Sequence, residues 1–381
     1  VKYYLIAGEA SGDMHAANLM KGIQEIDSEA AFRFFGGDKM QGVHPGLVKH
    51  YKEMAFMGLF DVLANIRTLV SYIKYCRQDV KNYNPDVLIL VDYAGFNLKI
   101  ARFAKSEGIK VFYYITPKVW AWQESRVKKL KAYTDKLFVI FPFEVDYFRS
   151  HQLDVVFEGN PTIDALQPYI DLEPDHHNFR HHLGLDERPI VALLAGSRKH
   201  EVKRLLPEML EASKKFPDYQ FVVAGAESLQ EEIYAPMLKD TQVKLVKNKT
   251  YELLRHAVAA IVTSGTATLE TALLNVPQVV VFKTGDITYA IGKLVVDVKF
   301  FSLVNISLDK EVVKELLQHN LTRDIITELK EILENSAYRH RMLQNYAQLQ
   351  QQYGKSGASE RVARTMIALL KSGAEKGKSD D

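Results

Sequence analysis

The sequence predicts an α/β protein made of two Rossmann-like, doubly wound domains facing a cleft. Three observations carry that expectation. Short apolar runs rich in β-branched and aromatic residues alternate with helix-period stretches, and the alternation starts twice, near Tyr3 and again near Ile190. A polar stretch from Asp171 to Arg188 separates the two halves. Several strands run straight into small, glycine- and hydroxyl-rich turns that open helices, the arrangement found at the carboxyl edge of open parallel sheets. With 381 residues, each half is long enough for its own core.

Composition narrows the function. Hydrophobic residues at 47% and charged residues at 25% describe an ordinary globular chain. A net charge of +2 argues against a strongly basic nucleic-acid binder, so no nucleic acid is expected as a partner. Cys76 is the only cysteine, which excludes an internal disulfide and a cysteine zinc site and suits a reducing compartment. No apolar run reaches the roughly 18–20 residues of a membrane span. Val1 to Ile6 lead into a strand rather than a signal peptide, and the tail after Leu370 reads as polar and disordered.

In the first half, Tyr3 to Ala7 form a strand that enters Gly8-Glu9-Ala10-Ser11-Gly12-Asp13, followed by a helix from about Met14 to Ile26. The spacing is not that of a dinucleotide fingerprint. Glu9 and Asp13 would repel a phosphate and suit hydroxyl recognition or proton abstraction, set against a plain capping role. Phe32 to Phe35 make a short strand. Residues 51 to 81 place Met54, Phe56, Met57, Leu59, Phe60, Leu63, Ile66, Val70 and Ile73 at helical spacing beside Lys52, Arg67, Lys74, Arg77 and Lys81. Such a segment covers a core or lies in a membrane interface. Strand Val87 to Val91 ends in Asp92-Tyr93-Ala94-Gly95-Phe96-Asn97, where Asp92 is a candidate functional acid or a turn cap. A helix near Leu98 to Ser106 and strands Lys110 to Ile115 and Lys136 to Ile140 follow. Trp120 and Trp122, in the loop after residue 116, suit the wall of an amphipathic ligand as well as simple packing.

Within the connector, His176, His177, His181 and His182 include an i, i+4 pair, but no cysteine or carboxylate pattern completes a metal site, and no metal or cofactor is expected. The second half opens with strand Ile190 to Leu194, which enters Ala195-Gly196-Ser197-Arg198. Arg198 offers a fixed charge and a planar fork for a phosphate, or an ion pair to Glu201. Strands at Phe221 to Ala224 and Val243 to Val246 precede the most informative stretch, Val258 to Lys283. There a strand ends in Ser264-Gly265-Thr266 and a helix begins. The turn supplies hydroxyls, close backbone approach and the free N–H groups of a helix start, an anion site if it is more than a cap. Glu270, a turn further on, is an acceptor for sugar hydroxyls such as those of a ribose. Asn305 is expected to face the cleft, and long helices fill Lys310 to Leu370.

Taken together, GEASGD (8–13), TPKVWAW (116–122), EGNP (158–161), AGSR (195–198) and SGTATLE (264–270) resemble the lipid-A-disaccharide synthase family, in the same order over nearly the whole chain. The resemblance implies the GT-B glycosyltransferase fold. Its domains would span 1–170 for the acceptor and 171–355 for the nucleotide sugar. A C-terminal helix, 356–370, would pack back on the first domain, and a disordered tail would fill 371–381. It implies an inverting, metal-independent condensation of UDP-2,3-diacylglucosamine with 2,3-diacylglucosamine 1-phosphate, releasing UDP. The location it implies is cytoplasmic, peripheral on the inner face of the cytoplasmic membrane of a Gram-negative bacterium, and it allows a homodimer.

By the same resemblance, Ser197, Arg198, Ser264, Gly265, Thr266, Glu270 and Asn305 hold the UDP-sugar. Ser11, Phe56, Met57, Phe60, Trp120 and Trp122 contact the acceptor or its acyl chains. The base is one of Asp92, Glu9 and Asp13; some family members carry a further Asp where this chain has Gly95. The competing readings are a lipid-linked cell-wall N-acetylglucosaminyltransferase, a UDP-sugar 2-epimerase, and a UDP-binding membrane scaffold without turnover. An epimerase works without lipid, and a scaffold binds UDP but releases none from the two lipid sugars.

Overall fold

The computed structural model describes residues 1–54, 66–117, 125–285 and 299–376. It divides into two compact units, Val1–Asp164 with Lys355–Asp381, and Ala165–Gly354.

The first unit is built on a seven-stranded parallel sheet of β1 (Lys2–Ala7), β2 (Ala31–Gly36), β3 (Leu47–His50), β4 (Val87–Val91), β5 (Lys110–Tyr114), β6 (Lys136–Val139) and β7 (Val155–Phe157). Its order is β3-β2-β1-β4-β5-β6-β7, so the chain reverses its direction of winding between β1 and β4, where Ala7 pairs with Val91. Tyr4, Ile6, Leu88, Leu90 and Val111 share one buried cluster with Ile73, Cys76 and Val80 of helix Ile66–Tyr83 and with Phe96 and Ile100 of helix Ala94–Ser106. The alternate strand residues Tyr3, Leu5 and Ile89 are buried as well. Both faces are therefore covered, as near-continuous apolar strands require.

The last helix, Ala358–Lys376, packs in this unit against helix Ala10–Ile26. The crossing is close: a Cβ on Gly22 would lie 3.1 Å from the Glu360 Cα and 3.3 Å from the Ala363 Cβ. Asp164 closes the joint, its carboxylate accepting from the N–H groups of Gly357, Ala358 and Ser359 at 2.6, 3.1 and 2.8 Å. The EGNP segment serves the same joint. Glu158 accepts Arg361 Nε at its carbonyl and the Thr365 hydroxyl at its carboxylate, and Asn160 ties Ile140 O to Thr162 N.

The second unit carries β8 (Ile190–Leu194), β9 (Gln220–Gly225), β10 (Lys244–Lys247), β11 (Ala257–Thr263), β12 (Gln278–Phe282) and β13 (Glu315–Leu317). All pair in parallel, in the order β10-β9-β8-β11-β12-β13. Here the winding reverses between β8 and β11, with Leu194 beside Val262.

Several expectations are corrected. The Asp171–Arg188 stretch is not a bare connector. It holds helix His176–Leu183, capped by Asp175 accepting from Asn178 N and ended by Gly184 at φ +59°. Lys310 to Asn320 is not helical, and β13 lies within it. The final helix continues to Lys376, past the expected end at Leu370. Among the described residues no helix is long and apolar enough to cross a membrane. None of them forms a cluster of three metal-ligating side chains, and His176 instead sets its ring nitrogen 2.9 Å from that of His256.

Candidate active site

In the first unit the reversal point brings two turns side by side. The Gly8–Glu9 turn, which opens helix Ala10–Ile26 four residues earlier than its sequence suggests, leaves β1, and the Asp92–Tyr93 turn, which opens helix Ala94–Ser106, leaves β4, the neighbouring strand. Ligands of open α/β sheets bind at such points. The contact between the turns explains Gly8: a Cβ there would sit 2.3 Å from the Tyr93 ring. Asp92 and Tyr93 both lie in the left-handed region, at φ 45° and 48°, uncommon for residues other than glycine. The strain is held by the backbone. Asp92 N–H donates to Tyr114 O and Ile115 O at 3.3 and 3.1 Å, and Asp92 O accepts from Asn97 Nδ2 at 2.8 Å and from the Tyr113 hydroxyl at 2.5 Å. Burial, then the charge of Asp92, push the Tyr113 hydroxyl well above its ordinary range, so it stays a donor.

The three acids differ. Glu9 is partly exposed, and its carboxylate has no hydrogen-bond partner among the described residues; burial first, then Glu9's charge, raise the pKa of Tyr93. Asp92 is partly exposed at the mouth of the turn. Asp13 is a correction: 2% exposed, it accepts from the N–H groups of Gly37, Lys39 and Met40 at 2.7, 3.0 and 3.2 Å. A buried carboxylate so engaged orients the turn after β2 rather than receiving a substrate proton. Ser11 is exposed on the first turn of its helix. Phe56, Met57, Phe60, Trp120 and Trp122 lie outside the described residues.

In the second unit the reversal point joins the Gly196–Arg198 turn after β8 to the Ser264–Thr266 turn after β11. Gly196 is at φ +116°, and a Cβ there would press against Glu201 Oε2 at 2.5 Å. That oxygen accepts from the N–H groups of Ser197 and Arg198, both at 3.2 Å. The Arg198 side chain is 46% exposed and its Nη1 lies 3.7 Å from Glu201 Oε1, a loose pair. Across the sheet, Ser264 donates its hydroxyl to Phe301 O at 3.0 Å. Helix Thr266–Leu273 starts without a side-chain cap, and a Cβ on Gly265 would meet nothing within 4 Å. Among the described residues no side chain caps its first N–H groups, and a helix start of this kind favours an anion.

Glu270 is partly buried and accepts the Tyr251 hydroxyl at 3.0 Å; burial pushes its carboxyl above the ordinary range. Asn305 is a second correction. It is fully buried, its amide donates to Val313 O and Glu315 Oε1 at 2.8 Å each, and its carbonyl accepts from Val312 N and Val313 N at 2.8 and 3.0 Å. No bonding capacity is left for a ligand. It positions instead: Glu315 also accepts from Phe301 N and Ser302 N, and Phe301 O is the acceptor for Ser264. Tyr93, Tyr251, Phe301 and Glu315 were not anticipated. Of these only Tyr93 had a local signal, its place beside Asp92.

Two parallel sheets, each presenting turns of this chemistry at its reversal point, define a two-domain α/β protein of the GT-B class. Solved structures agree on the fold. UDP-GlcNAc 2-epimerase from Neisseria meningitidis bound to UDP-GlcNAc superimposes with a TM-score of 0.68 at 16% identity, over 97% of this chain and 100% of that one. UDP-N-acetylglucosamine 2-epimerase from Rickettsia bellii gives 0.63 at 14% identity, over 97% of both chains.

Sequence comparison is more specific. The pattern of the lipid-A-disaccharide synthetase family matches residues 3–366, and the chain belongs to that family. The lipid-A-disaccharide synthase of Geobacter sulfurreducens is 35% identical over 374 residues, 96% of each chain. That of Syntrophus aciditrophicus is 36% identical over 376 residues, 96% of this chain and 97% of its own.

Proposed function

We propose that this chain is an inverting glycosyltransferase that condenses UDP-2,3-diacylglucosamine with 2,3-diacylglucosamine 1-phosphate to give the β-1,6-linked disaccharide 1-phosphate and UDP. Family membership supports the reaction. The observation that carries the assignment of roles is that each sheet gathers its candidate residues at its own reversal point, acids in the first unit and an anion site in the second.

In the second unit, Arg198 and the open start of helix Thr266–Leu273 take the diphosphate, Ser197 and Ser264 add polar contacts, and Glu270 accepts from the ribose. In the first unit, Asp92 or Glu9 takes the proton of the acceptor's C6 hydroxyl. That oxygen then bonds to C1 of the donor from the face opposite the leaving group, the C1–O bond to the diphosphate breaks, and UDP departs with the electron pair. Arg198 and the helix start stabilise the charge that grows on the leaving oxygen.

The same proposal puts the enzyme on the inner face of the cytoplasmic membrane. In its support, helix Ile66–Tyr83 buries Ile73, Cys76 and Val80 yet leaves Val70 and Tyr75 exposed at 43% and 49%, with Arg67 and Lys74 also exposed. A homodimer belongs to this proposal too. Incubation of the chain with both lipid sugars, followed by mass spectrometry, is expected to yield disaccharide 1-phosphate and UDP in equal amounts. UDP bound without any disaccharide would leave the scaffold reading, and epimerised UDP-sugar without acceptor would leave the epimerase reading.

A further inference from the structure

Tyr251 is the second residue of helix Thr250–His256, which lies between β10 and β11. Its hydroxyl donates to Glu270 Oε1 at 3.0 Å, and its ring is held edge-on by Tyr169, centroid to centroid 5.2 Å at 74°. Burial, followed by the Glu270 charge, pushes the Tyr251 hydroxyl far above the ordinary tyrosine range, so the proton stays on oxygen. One carboxylate oxygen of Glu270 is thus committed to a permanent donor. The other, Oε2, has no hydrogen-bond partner among the described residues. Glu270 also stands one turn beyond Thr266, about 5–6 Å along the helix from the open N–H groups. That is the spacing between a phosphate on the turn and the hydroxyls of an adjoining ribose.

We infer that Tyr251 is a positioning residue for nucleotide recognition: by holding Glu270 Oε1 it aims Oε2 at the ribose hydroxyls and makes the site select ribonucleotides over their deoxy forms. The inference rests on the nucleotide assignment above. Physically, a fixed acceptor rewards a hydroxyl and is left unpaired when the hydroxyl is missing, which gives larger discrimination than shape alone. A free carboxylate would rotate to water and lose that preference. Tyr251 also opposes the upward push that burial gives the Glu270 carboxyl, which favours the charged, acceptor-only form. Among the described residues Tyr251 is the one titratable group acting on Glu270, and Tyr169 acts in turn on Tyr251.

The test is calorimetric titration of the full chain with UDP and with 2′,3′-dideoxy-UDP, for the wild type, Tyr251→Phe and Glu270→Gln. The wild type is expected to bind UDP about tenfold or more tightly than the dideoxy analogue. Tyr251→Phe, which keeps the ring against Tyr169, should bring that ratio to within about threefold while leaving affinity for the analogue unchanged. The ratio should also depend on pH more strongly in that variant than in the wild type, because Glu270 without its donor holds its proton to higher pH. Glu270→Gln should remove the discrimination, and adding Tyr251→Phe to it should change nothing further. An unchanged ratio in Tyr251→Phe, or equal weakening of both ligands, would overturn the inference. Wild-type binding of UDP without discrimination would overturn it too while leaving the nucleotide assignment standing. No UDP binding at all would remove that assignment and this inference with it.

Discussion

At the scale of single residues, Asp92 shows how backbone and side chain divide the work. Its N–H and carbonyl are tied down by Tyr114, Ile115, Asn97 and Tyr113, which hold a left-handed backbone that most side chains avoid. Asparagine tolerates that conformation nearly as well as aspartate, so Asp92→Asn removes the charge while keeping the backbone. If Asp92 is the base, disaccharide formation should fall by about 10²–10⁴-fold with UDP affinity unchanged. Near-wild-type turnover in steady-state assays would pass the role to Glu9.

The residues that sequence reasoning misplaced share a cause. Asp13 and Asn305 are polar groups near expected ligands, and composition cannot distinguish a carboxylate or amide that meets a substrate from one that meets backbone N–H groups. The deciding partners, Gly37 to Met40 for one and Val312 to Glu315 for the other, come from a different loop of the fold in each case. Gly95 is the converse. A Cβ there would meet nothing within 4 Å, so the backbone at this position has room for the start of a side chain.

At the scale of elements, the strands that the sequence located best are the central ones. Val87–Val91 and Ile190–Leu194 have the bounds read from their β-branched runs, because both faces of each are buried and every residue must be apolar. The strands it missed, Leu47–His50, Val155–Phe157 and Glu315–Leu317, are three- or four-residue edge strands paired on one side only. They are made by their neighbours rather than by their own composition.

The joint between helices Ala10–Ile26 and Ala358–Lys376 offers a prediction at this scale. His15 is buried near Asp164, its Nδ1 is unpartnered, as is Ser359 Oγ, and burial lowers its pKa from 6.5 to about 4. The unfolded chain therefore takes up a proton that the folded joint refuses, so this contribution is intact above about pH 6.5 and is lost as pH falls toward 4. The loss is on the order of 3 kcal/mol if nothing relaxes. Urea midpoints measured from pH 7.5 down to 4.5 should fall more steeply for the wild type than for His15→Asn. Parallel curves would mean that His15 is hydrated or paired in the folded state.

At the scale of the molecule, what was most legible in the sequence was the repeated strand–turn–helix alternation. What was not legible was which turns become neighbours. The Gly8 and Asp92 turns are some eighty residues apart in the chain, and the Ser197 and Ser264 turns nearly seventy. Only the strand orders, with β1 beside β4 and β8 beside β11, bring each pair together. Those two reversal points are where charge of opposite character collects, partly exposed acids in the first unit and an exposed arginine with an uncapped helix start in the second.

The most direct measurement is therefore the position of bound UDP in crystals of this chain soaked with the nucleotide. The diphosphate is expected on the N–H groups that follow Gly265, within reach of Arg198, with the ribose against Glu270. Nucleotide density at the Gly8–Glu9 turn, or at any place away from the β8 and β11 turns, would contradict the account.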